Sequence, residues 1–180
     1  MKTVHLIPFT PQPISHRGGN YTIYVNITKS QQEITAEFVL QGDTNTIKWP
    51  TAAQQVRPGT DLWKHTCFEL FLSEQNQRQY WEYNFSPARQ WATYAFADYR
   101  EPASLPTTRT PVIEPPQRSE REFSQHVRFT PQAPLANKPL AIGVAAIIET
   151  TDGQRHFYAL RHCGDKPDFH LRESFVLKMD

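Results

Sequence analysis

Six side chains capable of binding or acid–base chemistry lie at alternate positions in two neighbouring segments, residues 61–72 and 80–87. They supply an aromatic ring, an imidazole, a thiol, two carboxyls and an amide: Trp63, His65, Cys67, Glu69, Glu82 and Asn84. If both segments are strands, residues two apart share a face, so apolar side chains such as Phe68 and Tyr83 point to a core on the opposite face. The six polar and aromatic side chains are then expected to form the floor of a site.

The register between the two strands decides which residue faces Glu69, and the sequence leaves both Glu82 and Asn84 open. Two carboxylates directly opposite each other would repel. They therefore need a cation, a metal, a shared proton or a hydroxylated ligand between them, and Arg100 and Lys64 are the nearest cations in the sequence. We expect one carboxyl to have a raised pKa, because a shared cleft disfavours double ionisation, unless Arg100 lies between them and reverses the shift.

Two catalytic interpretations use the same residue types. Glu69 and Glu82 could act as the acid and nucleophile of a glycosidase, and together with His65 they could serve a hydrolase or an isomerase. Cys67 beside His65 could be a nucleophile with its base, whereas a buried, inert cysteine is the simpler interpretation. Non-catalytic binding by the same floor is the leading hypothesis.

A second polar cluster, residues 161–170, contains Asp168 and His170. Together with His65 and Cys67 it offers soft ligands from two parts of the chain. A zinc site needs about four such ligands in a tetrahedral array. The alternative is that Asp168 and His170 form hydrogen bonds within turns.

Aromatic residues are concentrated in the same part of the chain and favour a stacking site. They are Trp63, Trp81, Trp91, Tyr94 and Tyr99. A ring face offers a flat apolar platform, and neighbouring carboxyl and amide groups can fix hydroxyls, which is the chemistry of sugar recognition. The alternative is a structural role, because tryptophan and tyrosine bury large areas in cores.

Composition limits the class of protein. The 180 residues carry a formal net charge of +1 without charged blocks, which argues against nucleic-acid binding. Two cysteines are too few for a disulfide framework, and no apolar run is long enough to span a membrane. The N-terminal residues do not resemble a signal peptide. We expect one domain over residues 1–180 and a cytoplasmic location, with the oligomeric state left open.

An all-β fold is predicted, because 15 prolines disfavour helices and period-two alternation recurs. Further strands are predicted over residues 21–27, 34–40, 123–129, 140–148, 156–160 and 174–178. The run 140–148 is apolar on both faces and is expected to be a central strand. Asp152 and Gly153 predict a hairpin turn. Residues 102–121, rich in proline, are expected to form a long irregular excursion.

The chain resembles DOMON-like domains related to the family 9 carbohydrate-binding modules. Two stretches carry the resemblance: Cys-Phe-Glu-Leu-Phe-Leu at residues 67–72, and Trp-Glu-Tyr-Asn at 81–84 followed by Ser-Pro at 86–87. Similar elements extend along nearly the whole chain, and the similarity is greatest to a stand-alone bacterial group. The resemblance implies a two-sheet antiparallel β-sandwich with a ligand cleft on one sheet.

The resemblance also implies a ligand and its contacts. Members of this superfamily bind sugars or haem, and the sugar-binding modules use two tryptophans above a polar floor. The positions that would carry this here are Trp63, Glu69, Asn84 and Arg100, with Trp91, Tyr94 or Phe169 as the second ring. Haem-binding relatives use an axial methionine with histidine or lysine. The methionines here, Met1 and Met179, are terminal, so His65 or His170 would have to serve.

Overall fold

The computed structural model describes residues 1–10, 21–30, 32–51, 53, 55–104, 108–132, 135 and 137–180. Over these residues the regular structure is β-strand with short 3₁₀ helices at Thr44–Thr46, Leu62–Lys64 and Arg172–Ser174. The strands are β1 Lys2–Pro8, β2 Thr22–Lys29, β3 Ile34–Gln41, β4 Arg57–Pro58, β5 Cys67–Glu74, β6 Tyr80–Phe85, β7 Gln90–Asp98, β8 Glu101–Pro102, β9 Val112–Ile113, β10 Gln117–Arg118, β11 Glu122–Phe129, β12 Leu140–Glu149, β13 Arg155–Ala159 and β14 Leu177–Met179. The predicted all-β fold is confirmed. No helix in these ranges is long and apolar enough to cross a membrane.

The strands form two sheets joined through β1. The first sheet has the order β10-β11-β3-β2-β1, and the second has the order β13-β12-β5-β6-β7-β4. Residues 2–6 of β1 pair with β2, whereas Ile7 and Pro8 pair with β13. The pairs are antiparallel except for the two-residue pairing of β4 with β7. The structure is therefore a curled β-sandwich, as predicted.

The core lies between the two sheets and is built from the alternation seen in the sequence. Phe38 of the first sheet stacks on Phe68 of the second, with ring centroids 5.0 Å apart, and Phe68 in turn stacks on Phe123 at 5.5 Å. All three rings are fully buried. Burying each side chain of this size contributes about 1.5–3 kcal/mol, so the apolar face fixes the register of every long strand.

Strands β5 and β6 pair antiparallel in the register expected from their apolar sets. Phe68 lies opposite Phe85 and Leu70 opposite Tyr83, all on the core face. Glu69 lies opposite Asn84, which settles the alternative left open by the sequence. β12 is the neighbour of β5 on its other side and is buried at all ten positions, as its apolar run predicts.

Three boundaries differ from the sequence expectations. β5 begins at Cys67, because Asp61 has a left-handed backbone (φ 54°) and Leu62–Lys64 form a 3₁₀ helix, so the strand prediction was wrong for residues 61–66. The predicted C-terminal strand over residues 174–178 is shortened to Leu177–Met179, which pairs with β12. The segment 102–121 contains β9 and β10 rather than only irregular chain, and its residues 105–107 lie outside the described part of the chain. The predicted hairpin turn between β12 and β13 is confirmed, with Gly153 at φ 83°.

Candidate binding cleft

The outer face of the second sheet carries two buried carboxyls at its centre. Glu69 on β5 is 2% exposed and Glu82 on β6 is 5% exposed. They occupy neighbouring rungs of the ladder, because Glu69 is opposite Asn84 and Glu82 is opposite Phe71. On β12 the residue beside Glu69 is Ala145, whose small side chain leaves space above the sheet.

Above this floor lies a cavity of about 460 Å³. Its walls are mainly aromatic, and its charged side chains come from four different segments. The lining residues are Trp63, Glu69, Phe71, Glu82, Tyr94, Phe96, Arg100, Ile147, Arg155, Phe157, Pro167, Phe169 and His170. A volume of roughly 300–1,000 Å³ with apolar walls and few polar groups is typical of small-molecule sites.

The two carboxyls are poorly compensated. The Asn84 side-chain amide donates a hydrogen bond to Glu82 Oε1 at 2.8 Å. Glu69 Oε1 is buried and has no hydrogen-bond partner in the described part of the chain, and neither has Asn84 Oδ1. Burial of a charged or polar group without a partner costs free energy that a ligand donor could recover.

Burial also shifts the ionisation of this pair. Desolvation, and then the charge of Glu82, raise the pKa of Glu69 well above its ordinary value. Desolvation raises the pKa of Glu82 to about 7, against the opposing effects of the Asn84 hydrogen bond and the Arg100 charge. The raised pKa expected from the sequence is thus found at both carboxyls, so each holds its proton more tightly than an exposed glutamate does.

A hydrogen-bonded chain fixes His170 against Glu82. The backbone N–H of Arg100 donates to Tyr80 Oη at 3.1 Å, and Tyr80 Oη lies 2.8 Å from His170 Nδ1. Tyr80 accepts from Arg100 and has its own proton free to donate to Nδ1, an arrangement that would leave the ring proton of neutral His170 on Nε2. Desolvation lowers the pKa of His170 to about 4, which favours the neutral ring, and Nε2 lies 3.6 Å from Glu82 Oε2.

Arg100 and Asp168 form the rim of the cleft rather than part of its floor. Arg100 Nη2 lies 3.0 Å from Asp168 Oδ1, and the Tyr99 hydroxyl donates to Asp168 Oδ2. The same carboxylate accepts the backbone N–H of His170 at 3.0 Å. Asp168 does not itself line the cavity. Through these contacts it joins the segment that carries Arg100 to the segment that carries His170.

Trp63 lies on the 3₁₀ helix that precedes β5 and contributes to the cavity wall while 42% exposed. Lys64 Nζ lies 5.5 Å from the ring centroid of Trp63 and pairs with Asp61 at 2.6 Å. This is the exposed, cleft-edging position considered for Trp63. Of the three residues considered as the second ring, Tyr94 and Phe169 line the cavity, whereas Trp91 packs in the core between the sheets.

Three other predicted site residues do not line the cavity. His65 follows the 3₁₀ helix and its Nδ1 lies 2.7 Å from Glu149 Oε2, because the parity of β5 does not extend back to residue 65. Cys67 is on the expected face but is buried with Leu62 and Ala92. Desolvation raises the pKa of its thiol well above the ordinary value, which disfavours a nucleophilic thiolate. Asn84 donates its hydrogen bond to Glu82 but does not itself line the cavity.

The soft ligands considered for zinc do not assemble. No group of three or more His, Cys, Asp or Glu suited to a metal ion occurs within the described ranges. Cys163 is exposed, and His162 Nε2 lies 2.9 Å from the carbonyl oxygen of Ile7. As a haem ligand, His170 would have to give up its contact with Tyr80 or turn away from Glu82.

Several wall residues were not named as site residues from the sequence. Alternation in the sequence places Phe71 on the face of Glu69, and the same parity relates Phe96 to Tyr94 on β7. Ile147, Arg155, Phe157 and Pro167 come from distant segments that carry no local signal for this site.

Comparison with known proteins relates the fold to carbohydrate-binding structures. No family model and no curated protein is significantly similar to the sequence. A candidate carbohydrate-binding protein from Bacteroides uniformis has a similar structure, with a TM-score of 0.65 and 13% identity over 98% of this chain and 84% of that chain. A family 9 carbohydrate-binding module from Caldicellulosiruptor kristjanssonii, in complex with cellotriose, gives a TM-score of 0.55 and 8% identity over 86% and 72%. Its complex with glucose gives 0.52 and 7% over 85% and 73%. The chain therefore has the fold of these modules.

Proposed function

We propose that this protein binds a small carbohydrate, without transforming it, in the cleft above Glu69 and Glu82. The observation that carries the proposal is the buried, unpartnered Glu69 Oε1 at the floor of a cavity walled by aromatic rings. A carboxyl oxygen in this position needs a donor, and hydroxyl groups of a sugar are donors that can reach it. The apolar faces of a sugar ring suit the surrounding aromatic surfaces.

The structural neighbours support the same ligand class. The Caldicellulosiruptor module was solved with glucose and with cellotriose, and the Bacteroides protein is a candidate carbohydrate binder. The proposed relationship to DOMON-like proteins and the cytoplasmic location remain predictions from the sequence.

Titration calorimetry with glucose, cellobiose and cellotriose tests the proposal. We expect saturable binding that weakens about tenfold in Glu69→Gln, because the amide nitrogen replaces an acceptor oxygen and leaves a buried ligand hydroxyl unpaired, which costs about 1–3 kcal/mol. Glu114→Gln is the matched control, since Glu114 is exposed outside the cleft. A folded protein that binds none of a broad panel of mono- and oligosaccharides would refute the proposal.

Acid–base catalysis on a bound sugar is the second candidate function. It is favoured by Glu82, whose pKa of about 7 suits proton transfer near neutral pH, and by neutral His170 beside it. His170 thereby takes the place that the sequence interpretation gave to His65. Hydrolysis of chromogenic glycosides, or accelerated anomer exchange followed by polarimetry, tests this candidate. Either activity should be lost in Glu82→Gln while binding persists.

A further inference from the structure

The floor of the cleft carries acidic groups whose hydrogen-bond acceptors are only partly used. Two carboxyls lie there, and Glu69 Oε1 has no partner within the described chain. The cations nearest in sequence are already engaged elsewhere. Arg100 pairs with Asp168 at the rim, and Lys64 pairs with Asp61 outside it. A neutral ligand would offer the two carboxyls hydroxyl protons but no charge.

The walls of the cleft are suited to a positive charge. Rings from six separate positions line the cavity: Trp63, Phe71, Tyr94, Phe96, Phe157 and Phe169. The negative faces of such rings attract cations, most strongly where water is excluded. The remaining cation of the lining, Arg155, is exposed at the wall and already lies over the Phe157 ring, 5.9 Å from its centroid.

We propose that the preferred ligand is an amino sugar whose protonated amine is held by Glu69 and Glu82 within the aromatic walls. This inference rests on the proposed carbohydrate-binding function and names the class of sugar. An ammonium group satisfies the free oxygen of Glu69 and neutralises the pair at once. The hydroxyl groups of the same ligand remain available to the neutral N–H of His170.

Binding of an amine at this position is coupled to protons. Other ionisable groups face or flank the two carboxyls. Those on the strands of the sheet are Cys67, Tyr80, Tyr94 and Arg155, and those on the adjoining loops are Asp61, Tyr99, Arg100, Asp168 and His170. Burial raises the pKa of both free carboxyls, whereas an ammonium beside them favours their ionised forms. Binding therefore releases protons, and affinity rises with pH until the amine loses its own proton.

Four probes separate the inference from the proposed function: glucosamine, glucose, N-acetylglucosamine, which is an uncharged analogue of glucosamine, and ethanolamine, which carries an amine without a sugar ring. Calorimetry near pH 7 is expected to show glucosamine bound at least about tenfold more tightly than any of the other three. Repeating the titration in buffers of different ionisation enthalpy should reveal proton release with glucosamine alone. Glu82→Gln and Glu69→Gln should abolish the preference, and Glu114→Gln should retain it. Circular dichroism establishes which variants are folded, and wild-type proton release gives a readout that needs no variant.

The possible outcomes are distinct. Equal affinity for glucose and glucosamine overturns the amine inference and leaves the carbohydrate function standing. Binding of ethanolamine as tightly as glucosamine supports recognition of the amine and overturns the requirement for a sugar. Binding of none of the sugars overturns both proposals. A glucosamine preference that persists in folded Glu82→Gln and Glu69→Gln shows that the amine lies elsewhere and overturns the inference.

Discussion

The core face of β5 and β6 presents Phe68, Leu70, Tyr83 and Phe85, whereas the cleft face of the same strands presents Glu69, Glu82 and Asn84. Both sets are buried to nearly the same extent. On the core face burial comes from contact with the first sheet. On the cleft face it comes from the depth of a cavity whose walls are built by other segments.

Burial alone therefore does not distinguish a core from a site, but the chemistry of the unpartnered groups does. In the described ranges the unpartnered buried atoms of the core face are neutral, for example the indole nitrogens of Trp81 and Trp91. On the cleft face the unpartnered atoms include, besides the amide oxygen of Asn84, a carboxyl oxygen of Glu69, which lies beside a second carboxyl. A group with so large a desolvation cost is expected where function requires it.

The largest effect should come from truncating matched phenylalanines on the two faces. Phe68→Ala is expected to destabilise the protein by about 3–5 kcal/mol, because it leaves a closed, dry cavity between the sheets. Phe71→Ala removes an equally buried ring on the cleft face. It should cost less, because the space opens into the cleft and can hold water. Urea unfolding measures both, and equal losses would show that the cleft face is packed like the core.

Ionisation of Glu82 should make stability depend on pH. Its folded pKa of about 7 is above the ordinary value, so the folded state holds the extra proton between about pH 4.5 and 7, and stability falls as pH rises through that window. The loss is on the order of 3 kcal/mol.

The difference in unfolding free energy between Glu82→Gln and the wild type, measured across pH, separates the contribution of Glu82 from that of His170. The lowered pKa of His170 acts in the opposite direction over a similar range. The variant should gain relative stability from pH 4.5 to 7, while Glu114→Gln should show a flat difference. A flat difference for Glu82→Gln as well would mean that the carboxyl titrates as if in water.

The sequence predicted the part of this site that rests on one local pattern. Alternation in β5 and β6 gave the shared face and the burial of Glu69, because apolar burial on the core face determines parity. The prediction failed at His65, where a left-handed Asp61 and a 3₁₀ helix break the period of two.

The aromatic walls could not be derived in the same way. Phe157 reaches the cleft because β13 pairs with β12 in the same sheet, and Phe169 follows β13 in the chain and packs with its ring centroid 6.3 Å from that of Phe157. Both placements depend on long-range contacts. The two-sheet architecture was predictable because alternation recurs in several of the long strands and the run at residues 140–148 is apolar on both faces. The pairing of Arg100 with Asp168 was not, because nothing local links residues so far apart.

Removing the Tyr80 hydroxyl should have an intermediate effect. Tyr80→Phe leaves the Arg100 N–H and His170 Nδ1 without their shared partner. The expected destabilisation is about 1–3 kcal/mol, the cost of unpaired buried polar groups. Proton NMR of the His170 ring should also report altered tautomer signals. An unchanged His170 spectrum would indicate that another donor fixes the ring.

The smallest effect on stability and a large effect on binding are expected at Trp63. Its ring is 42% exposed at the wall of the cleft, so Trp63→Ala should lower the unfolding free energy by about 1 kcal/mol or less. If the ring stacks on the ligand, the same change should weaken sugar binding at least about tenfold, and ligand addition should alter tryptophan fluorescence in the wild type. The core residue Phe68 should behave in the opposite way, with a large loss of stability. A Trp63→Ala protein that loses several kcal/mol of stability yet binds normally would place this ring with the core face and remove it from the cleft.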